Sequence, residues 1–314
     1  MEILVTGGAG YIGSAAVKKL VEAGYKVVVV DNLSRGQKSY VNPKAKFYQL
    51  DLTDAKGLAR VFEQNHIDAV MHFAAYKAVG ESMANAGKYS DNITGTITLL
   101  SQMVKFGVKK MVYSSSCAVY GMPEVEHIDE CTPTKPINYY GYTKLSCEQI
   151  IDWYAKIHNI KYVSLRYFNV AGDAGLNYID QSAENIIPII IEVIVGTRKK
   201  LTIFGKDYST RDGTCVRDYI DVSDLIEAHI LALKLEKNAV INLGTGKGAS
   251  VQELVDTAIE VTGKRFSYEF GPRRKGDPAC LIASNAKAKK LLGWSPKTSL
   301  KQMLKSTYQA YTNK

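Results

Sequence analysis

Cysteine is scarce in this chain and follows no pattern. The five residues, Cys117, Cys131, Cys147, Cys215 and Cys280, are odd in number and form no CxxC or metal-ligand spacing. That argues against a disulfide framework and a structural metal, and for a reducing, cytoplasmic compartment. Long apolar runs are also missing. The longest, Ile186 to Val195, is broken by Pro188 and Glu192 and falls far short of a bilayer span, so no membrane association is expected. Glu2 precedes a short apolar run that breaks at Gly7, which does not read as a signal peptide. There is no internal repeat, low-complexity tract or nucleic-acid motif. The net charge of +9 comes from Lys and Arg scattered apart from short runs such as Arg198-Lys199-Lys200 and Arg273-Arg274-Lys275. Such a surface is mostly solvated and suits an anionic small molecule rather than nucleic acid.

What is present describes an α/β protein. At 314 residues the chain exceeds the usual single-domain size, so two lobes are expected. Short apolar runs at Ile3 to Val5, Val27 to Val30, Phe47 to Leu50, Ala69 to Phe73, Met111 to Tyr113 and Tyr162 to Leu165 alternate with helical patterns. That order predicts a parallel sheet with right-handed crossovers. Val27 to Val30 shows no alternation, as expected of a strand covered on both faces. After Gly172 the pattern changes to loops, one apolar helix and an Arg211-Asp212-Gly213 turn. A helix near 221–235 and a strand at 240–243 return to the sheet. The expected division is 1–172 plus 217–243 for the main domain, and 173–216 plus 244–314 for a smaller mixed cap.

Val5-Thr6-Gly7-Gly8-Ala9-Gly10-Tyr11-Ile12-Gly13 follows the first strand and opens a helix. Gly7 permits a tight turn, Gly10 lets a pyrophosphate approach the backbone, and Gly13 lets helix and strand pack closely. The helix N-terminus offers N–H donors and partial positive charge to phosphates. The second strand ends at Asp31, 18 residues after Gly13, where a carboxylate can accept both ribose hydroxyls. The fold is therefore expected to be a Rossmann-type doubly wound sheet binding NAD. Asp31 would repel a 2′-phosphate and so disfavours NADP, with Arg35 as the counter-signal. Asp51, after the third strand, reads either as an adenine neighbour or as a helix cap. His72-Phe73-Ala74-Ala75 closes the fourth strand with small residues, and Lys77 just beyond is either a phosphate or ribose ligand or a surface lysine.

Downstream lie Ser114-Ser115-Ser116, then Tyr140 and, four positions on, Lys144. If Tyr140 is helical, that spacing puts the ammonium on the same face, where it can lower the phenol's pKa and make a general base. Beside a nicotinamide this describes a redox site. Tyr-x-x-x-Lys alone is a weak signal in a chain with 20 tyrosines, and its position after the serine cluster and glycine loop is what raises it.

Taken together, these residues resemble the extended short-chain dehydrogenase/reductases that act on nucleotide sugars. The likeness spans nearly the whole chain. It runs through the glycine loop, Asp31-Asn32-Leu33, His72-Phe73-Ala74-Ala75, Lys77-Ala78-Val79-Gly80-Glu81-Ser82, Ser114-Ser115-Ser116, Tyr140-Gly141-Tyr142-Thr143-Lys144 and Arg166-Tyr167-Phe168-Asn169. It continues in Gly213-Thr214-Cys215-Val216-Arg217-Asp218-Tyr219-Ile220 and Pro272-Arg273-Arg274-Lys275-Gly276-Asp277. The resemblance implies reversible C4 epimerisation of UDP-glucose and UDP-galactose through a 4-keto sugar, with NAD tightly bound, in a cytoplasmic homodimer. It makes Tyr140 the base, Lys144 its activator and ribose ligand, and Ser116 the hydroxyl that meets the sugar. The cofactor would be bound by Gly7, Gly10, Tyr11, Ile12, Gly13, Asp31, Asn32, Asp51, Leu52, Phe73, Ala74, Ala75, Lys77, Asn92, Ser114 and Tyr167. Asn169, Asn185, Phe204, Arg217, Tyr219, Arg274 and Asp277 would hold the UDP-hexose. A guanidinium fork suits diphosphate oxygens, although each arginine alone reads equally as a surface ion pair.

The chain departs from the family pattern after Ser116. Cys117-Ala118 stands where Ala-Thr is common, so a polar sugar contact is missing at Ala118, and Cys117 reads as a small buried residue. Four residues after Asp277, Leu281 falls at the gate to a sugar N-acetyl pocket, with Cys280 the alternative if the register shifts by one. Helices near 88–106 and 140–158, with Leu99, Met103, Ile150 and Trp153, supply either a dimer face or an internal one. The rival functions are a UDP-N-acetylhexosamine 4-epimerase, a dehydratase or decarboxylase, and a non-catalytic NAD-binding regulator. A dehydratase or decarboxylase would require acidic groups where Cys117 and Ala118 stand, and a regulator would not need the Tyr140–Lys144 pair.

Overall fold

The uniformly apolar Val27 to Val30 run lies in a strand, Lys26–Asp31, buried at every position after the first. This computed structural model describes residues 1–180, 185–274 and 276–313; Lys275 of the basic run and residues 181–184 of the expected cap lie outside them. In chain order the strands are β1 Glu2–Thr6, β2 Lys26–Asp31, β3 Lys46–Gln49, β4 Ala69–His72, β5 Lys110–Ser116, β6 His127–Ile128 and β7 Lys161–Tyr167. They continue as β8 Asn169–Ala171, β9 Leu201–Phe204, β10 Val216–Asp221, β11 Ala239–Leu243, β12 Gly248–Ser250, β13 Tyr268–Gly271 and β14 Cys280–Ala283. The helices are α1 Tyr11–Glu22, α2 Ala55–Glu63, α3 Val79–Ala84, α4 Ala86–Lys105, α5 Tyr139–His158 and α6 Ile186–Ile194. After them come α7 Val222–Ala232, α8 Val251–Thr262, α9 Ala286–Leu292 and α10 Leu300–Thr312.

Seven strands form one sheet in the order β11-β7-β5-β4-β1-β2-β3. β1 pairs parallel with both β2 and β4, so the winding reverses between β1 and β4. That reversal is where an open α/β sheet binds its ligand, beyond the carboxyl ends of the strands. Here those ends are Thr6 and His72, partners in the β1–β4 ladder. The expected doubly wound α/β fold is what forms. Leu4, Val28, Val30, Val70 and Met111 of the sheet pack with Leu58, Val61 and Phe62 of α2, Leu99, Leu100 and Met103 of α4, and Ile151 of α5. Each large apolar side chain buried in this way contributes roughly 1.5–3 kcal/mol.

The chain forms two compact units. The first comprises residues 1–121, 134–166 and 228–241, and the second 122–133, 167–227 and 242–314. The second unit contains a five-stranded mixed sheet in which β10 pairs antiparallel with β12 and parallel with β14 and β8. A parallel β9–β13 pair lies beside a core built from α6, α8 and α10. These outlines differ from the expected boundaries chiefly at β10 and at residues 122–133. β10 is buried at all six positions although Arg217, Asp218 and Asp221 are charged, so its polar and apolar residues do not alternate in a way that says which sheet it joins. Among the described residues no helix is long and apolar enough to cross a membrane, and no cluster of side chains suits a metal ion.

Candidate active site

The glycine loop lies at the sheet's reversal point. Gly7 has φ of +71°, and a Cβ there would come within 2.6 Å of the Ala74 backbone nitrogen. A Cβ at Gly13 would collide with the Gly7 carbonyl, whereas one at Gly10 would meet only that carbonyl, at 3.4 Å. Gly10 therefore borders open space at the start of α1. This helix has no side-chain cap and no acidic residue in its first turn. By contrast Asp54, Asn85, Asn138, Ser250 and Ser299 cap α2, α4, α5, α8 and α10. An N-terminus left without a side-chain cap, beside a glycine that leaves room, fits a pyrophosphate. Tyr11 and Ile12 occupy that first turn, and both are partly buried.

Asp31 is buried, and each of its oxygens accepts one backbone N–H: Ala9 at 3.0 Å and Leu33 at 2.8 Å. The carboxylate thus ties the glycine loop to the loop after β2 and keeps lone pairs for hydroxyl donors. Burial raises its pKa, against those two hydrogen bonds. Leu33 is held at φ of +59°, a left-handed conformation that costs a branched side chain on the order of 1–3 kcal/mol and tends to cluster at ligand sites. Asn32 donates to Asp51 at 2.7 Å, and Asp51 also accepts from the backbone and hydroxyl of Thr53. Burial raises the Asp51 pKa, but these bonds outweigh it and leave the carboxyl below its ordinary value. The cap of α2 is Asp54. Leu52 packs against the first unit's core. Arg35, the counter-signal for NADP, pairs with Glu81 at 3.0 Å.

Thr6 and His72, at the ends of β1 and β4, begin a buried polar chain. Thr96 donates its hydroxyl proton to the Asn92 carbonyl at 2.7 Å, so it accepts from His72 Nε2 at 3.0 Å, and His72 Nδ1 accepts from the Thr6 hydroxyl at 2.7 Å. Burial, and then the Lys144 charge, push the His72 pKa down to about 3. The ring is neutral and its tautomer is fixed by its neighbours. Phe73, Ala74 and Ala75 follow it and are half-buried, while Lys77 is exposed. Asn92 is held by protein partners on both sides. Its side chain accepts from the Tyr76 N–H at 2.8 Å and donates to the Tyr76 carbonyl at 3.1 Å and to Thr143 at 3.2 Å. With both amide hydrogens used, Asn92 tethers the loop after β4 to α5.

Helix α5 starts at Tyr139, capped by Asn138, which accepts from the Gly141 N–H at 2.8 Å. Tyr140 and Lys144 thus sit one turn apart at its buried end. The Ser116 side chain is close enough to act on the Tyr140 phenol's pKa. Ser116 ends β5 and accepts from the Ala118 N–H at 3.2 Å. The Lys144 ammonium donates to the Ser114 carbonyl at 2.6 Å and lies 5.0 Å from the Tyr113 ring and 5.9 Å from the Tyr140 ring. The expectation that Lys144 lowers the phenol's pKa is not met here. Burial pushes Tyr140 up to about 12, against the opposing influence of the Ser116 side chain, and Cys117 adds to the rise. Burial also pulls Lys144 down to about 8. Desolvation opposes charge on both groups and outweighs the helical spacing.

The second unit holds the arginines. Arg217, on β10, is buried; it donates to the Val216 carbonyl at 2.7 Å and forms an ion pair with Asp277. Arg274 is exposed, with its guanidinium 4.1 Å from the Phe204 ring. Asn169 donates to the Asp218 carbonyl at 3.2 Å. Asn185 precedes α6 as an exposed cap position without a cap bond, and Tyr167 and Tyr219 are buried. Sequence reasoning missed Asp218. Its buried carboxylate accepts from Thr245 twice, Gly246 and Ala283, organising the loop after β11. The available signal was a carboxylate within the short Val216 to Ile220 run, beside Arg217.

Comparison with known proteins places this geometry. A model of the NAD dependent epimerase/dehydratase family matches residues 3–244. A UDP-glucose 4-epimerase of Lacticaseibacillus casei is 49% identical over 304 residues, 94% of this chain and 92% of that protein. A UDP-glucose 4-epimerase crystal structure, 45% identical, superposes with a TM-score of 0.97 over 100% of this chain and 98% of the other. The Bifidobacterium longum UDP-glucose 4-epimerase, crystallised with NAD+ and UDP, is 38% identical, with a TM-score of 0.93 over 100% of this chain and 98% of that one.

Proposed function

This chain belongs to the NAD dependent epimerase/dehydratase family, and we propose that Tyr140, Ser116 and Lys144 are the groups with which it epimerises its substrate. The reaction is NAD-dependent C4 epimerisation of UDP-hexoses, the activity named for the relatives that match it along nearly their whole length. Bound NAD supplies the hydride acceptor and donor that no side chain can provide. Tyr140 takes the proton from the sugar 4-hydroxyl as C4 is oxidised and returns one to the ketone oxygen after the sugar has presented its other face. Ser116, at the end of β5, orients the hydroxyl and relays its proton. Lys144 keeps a cation beside the phenol and donates to ribose oxygens.

Gly7, Gly10, Gly13 and Asp31 of the first unit are assigned to NAD. Arg217, Arg274, Asp277, Asn169, Asn185, Phe204 and Tyr219 of the second are assigned to the uridine diphosphate and sugar. The observation that carries this reading is the buried Lys144, whose ammonium donates to the Ser114 carbonyl at 2.6 Å and lies 5.9 Å from the Tyr140 ring. The test is to incubate the protein with UDP-galactose, UDP-glucose and their N-acetyl forms and identify the products by NMR; absence of C4 epimers from every substrate would overturn it. Cys117 and Ala118 stand where a dehydratase or decarboxylase would need acidic groups, which disfavours that alternative.

Two finer assignments accompany it. We place the protein in the cytoplasm, because all five cysteines are free thiols, as suits a reducing compartment. We also assign it a homodimer through α4 and α5. The residues that first suggested this need revision, since Leu99 and Met103 are fully buried in the core. Trp153, also expected there, is 61% exposed, and Ile157 and Ile97, 68% and 39% exposed, extend its apolar surface.

A further inference from the structure

Building on the assignment of Ser116, Tyr140 and Lys144 above, we propose that Glu148 is a positioning residue for that trio, acting through a buried network with Arg166, Ser115 and Tyr120. Glu148 lies one helical turn beyond Lys144 on α5. Arg166, on β7, donates to it as a fork, through Nε to Oε1 at 2.9 Å and Nη2 to Oε2 at 2.6 Å. Both residues are about nine-tenths buried or more. The third guanidinium nitrogen donates to the Tyr120 hydroxyl at 2.9 Å, and the guanidinium carbon lies 4.9 Å from that ring. The Ser115 hydroxyl donates to Glu148 Oε1.

The location of these partners is what assigns the role. Ser115 immediately precedes Ser116 on β5, and Tyr120 ends the short 3₁₀ turn, residues 117–120, that follows it. Ser116 is therefore held on both sides by one ion pair, and its Oγ accepts from the Ala118 N–H inside that turn. The same carboxylate anchors α5, which carries Tyr140 and Lys144. The helix docks so closely that a Cβ at Gly141 would come within 2.5 Å of the Ala118 carbonyl. A buried ion pair is a weak source of net stability, because desolvation offsets its attraction, and an apolar pair of similar volume often serves as well. Fork geometry fixes direction as well as distance, and direction is what a proton relay requires.

Electrostatics adds a separable readout. Lys144 is faced by Tyr140, Cys147 and Glu148 from its own helix, by Tyr113 from β5 and by neutral His72 from β4. Glu148 is the carboxylate in this set, and its charge helps Lys144 stay protonated against burial.

The experiment uses the NAD-loaded enzyme with UDP-galactose. Ser115→Ala and Tyr120→Phe, which leave the ion pair in place, are expected to lower kcat by ~10-fold or more, since misplacement by about 1 Å costs up to ~10². KM and bound NAD should change little. Glu148→Gln should lower kcat and move the high-pH limb of the rate profile to lower pH, and Glu148→Asp should restore the limb. Wild-type kcat in both Ser115→Ala and Tyr120→Phe, or losses that follow melting temperature alone, would overturn the proposal even if Glu148→Gln fails to fold. Tyr140→Phe run alongside separates the two levels: activity there would undo the underlying assignment, whereas an inactive Tyr140→Phe with unaffected network variants would undo only this inference.

Discussion

The Lys144 ammonium donates to the Ser114 carbonyl, two residues before Ser116 on the same strand. One of its protons is thus committed to the backbone of the strand that carries Ser116. Burial pulls its pKa from 10.5 to about 8. The folded state binds this proton less tightly than the unfolded chain, so the contribution of Lys144 to stability rises with pH between about 8 and 10.5, by roughly 3 kcal/mol in all. Lys144→Met should lack that rise, seen as a flatter curve of denaturation midpoint against pH. Lys144→Ala should lower turnover and remove the fall in activity expected as the ammonium deprotonates above about pH 8, because no cation then stands beside the phenol. Unchanged profiles would break the link between Lys144 and Tyr140.

Tyr140 is partly buried at the start of α5, and a phenylalanine there removes only the hydroxyl of the proposed base. Tyr140→Phe should keep its fold and its NAD, read from circular dichroism and from the cofactor released on denaturation. Turnover should drop at least ~10²-fold, the lower range for loss of general acid–base catalysis. A variant with normal turnover would rule out Tyr140 as the base.

Arg217 and Arg274 illustrate two kinds of cation. Arg217 is buried against Asp277, so removing either partner strands a charge and disturbs folding. Arg274 is exposed and rests on Phe204, which lets it be removed cleanly. Arg274→Ala should raise KM for UDP-galactose by ~10-fold, the equivalent of one charge-assisted contact of about 1.4 kcal/mol, with the melting temperature nearly unchanged. Unaltered KM would remove Arg274 from the diphosphate site.

The cofactor half of the fold was legible because local chemistry dictates it. Gly7, Gly13 and Asp31 each answer to a neighbour within one βα unit, and the six apolar runs became strands in the expected sheet. Features that depend on distant partners were not legible. Nothing in the sequence says that Arg166 finds Glu148 and Tyr120, that β10 pairs with β8, β12 and β14, or that Asn92 is committed to Tyr76 and Thr143. The Tyr140 pKa was misjudged for the same reason. Helical spacing reports which charge is near, whereas the degree of burial depends on the whole surrounding fold.

The proposed dimer makes a direct test of the exposed apolar face. Trp153 is 61% exposed on α5, and Ser146, Gln149, Ile150 and Asp152 line a groove beside it. Placing a carboxylate in the middle of an apolar contact costs several kcal/mol. Trp153→Glu should convert a dimeric mass to a monomeric one by light scattering at micromolar concentration. A wild-type protein that is already monomeric would dispose of the assignment.

Substrate range rests on which side chain faces the sugar, and the ladder between β10 and β14 bears on it. Arg217 pairs with Leu281, and Val216 with Cys280. In a parallel ladder partner residues share a face and successive residues alternate, so Leu281 stands on the face of Arg217 and Cys280 on the other. If Arg217 holds the diphosphate as proposed, Leu281 is the residue that stands toward the sugar. A branched apolar side chain there clashes with an acetamido group and offers it no hydrogen bond, and discrimination by one such pocket contact is ~1 to 3 kcal/mol. UDP-glucose and UDP-galactose should therefore be turned over in preference to their N-acetyl forms, without excluding them. Leu281→Ser should improve turnover of UDP-N-acetylglucosamine, whereas Cys280→Ser should change little. The reverse pattern would put Cys280 at the pocket wall, and equal native turnover of both substrate classes would sink the preference altogether.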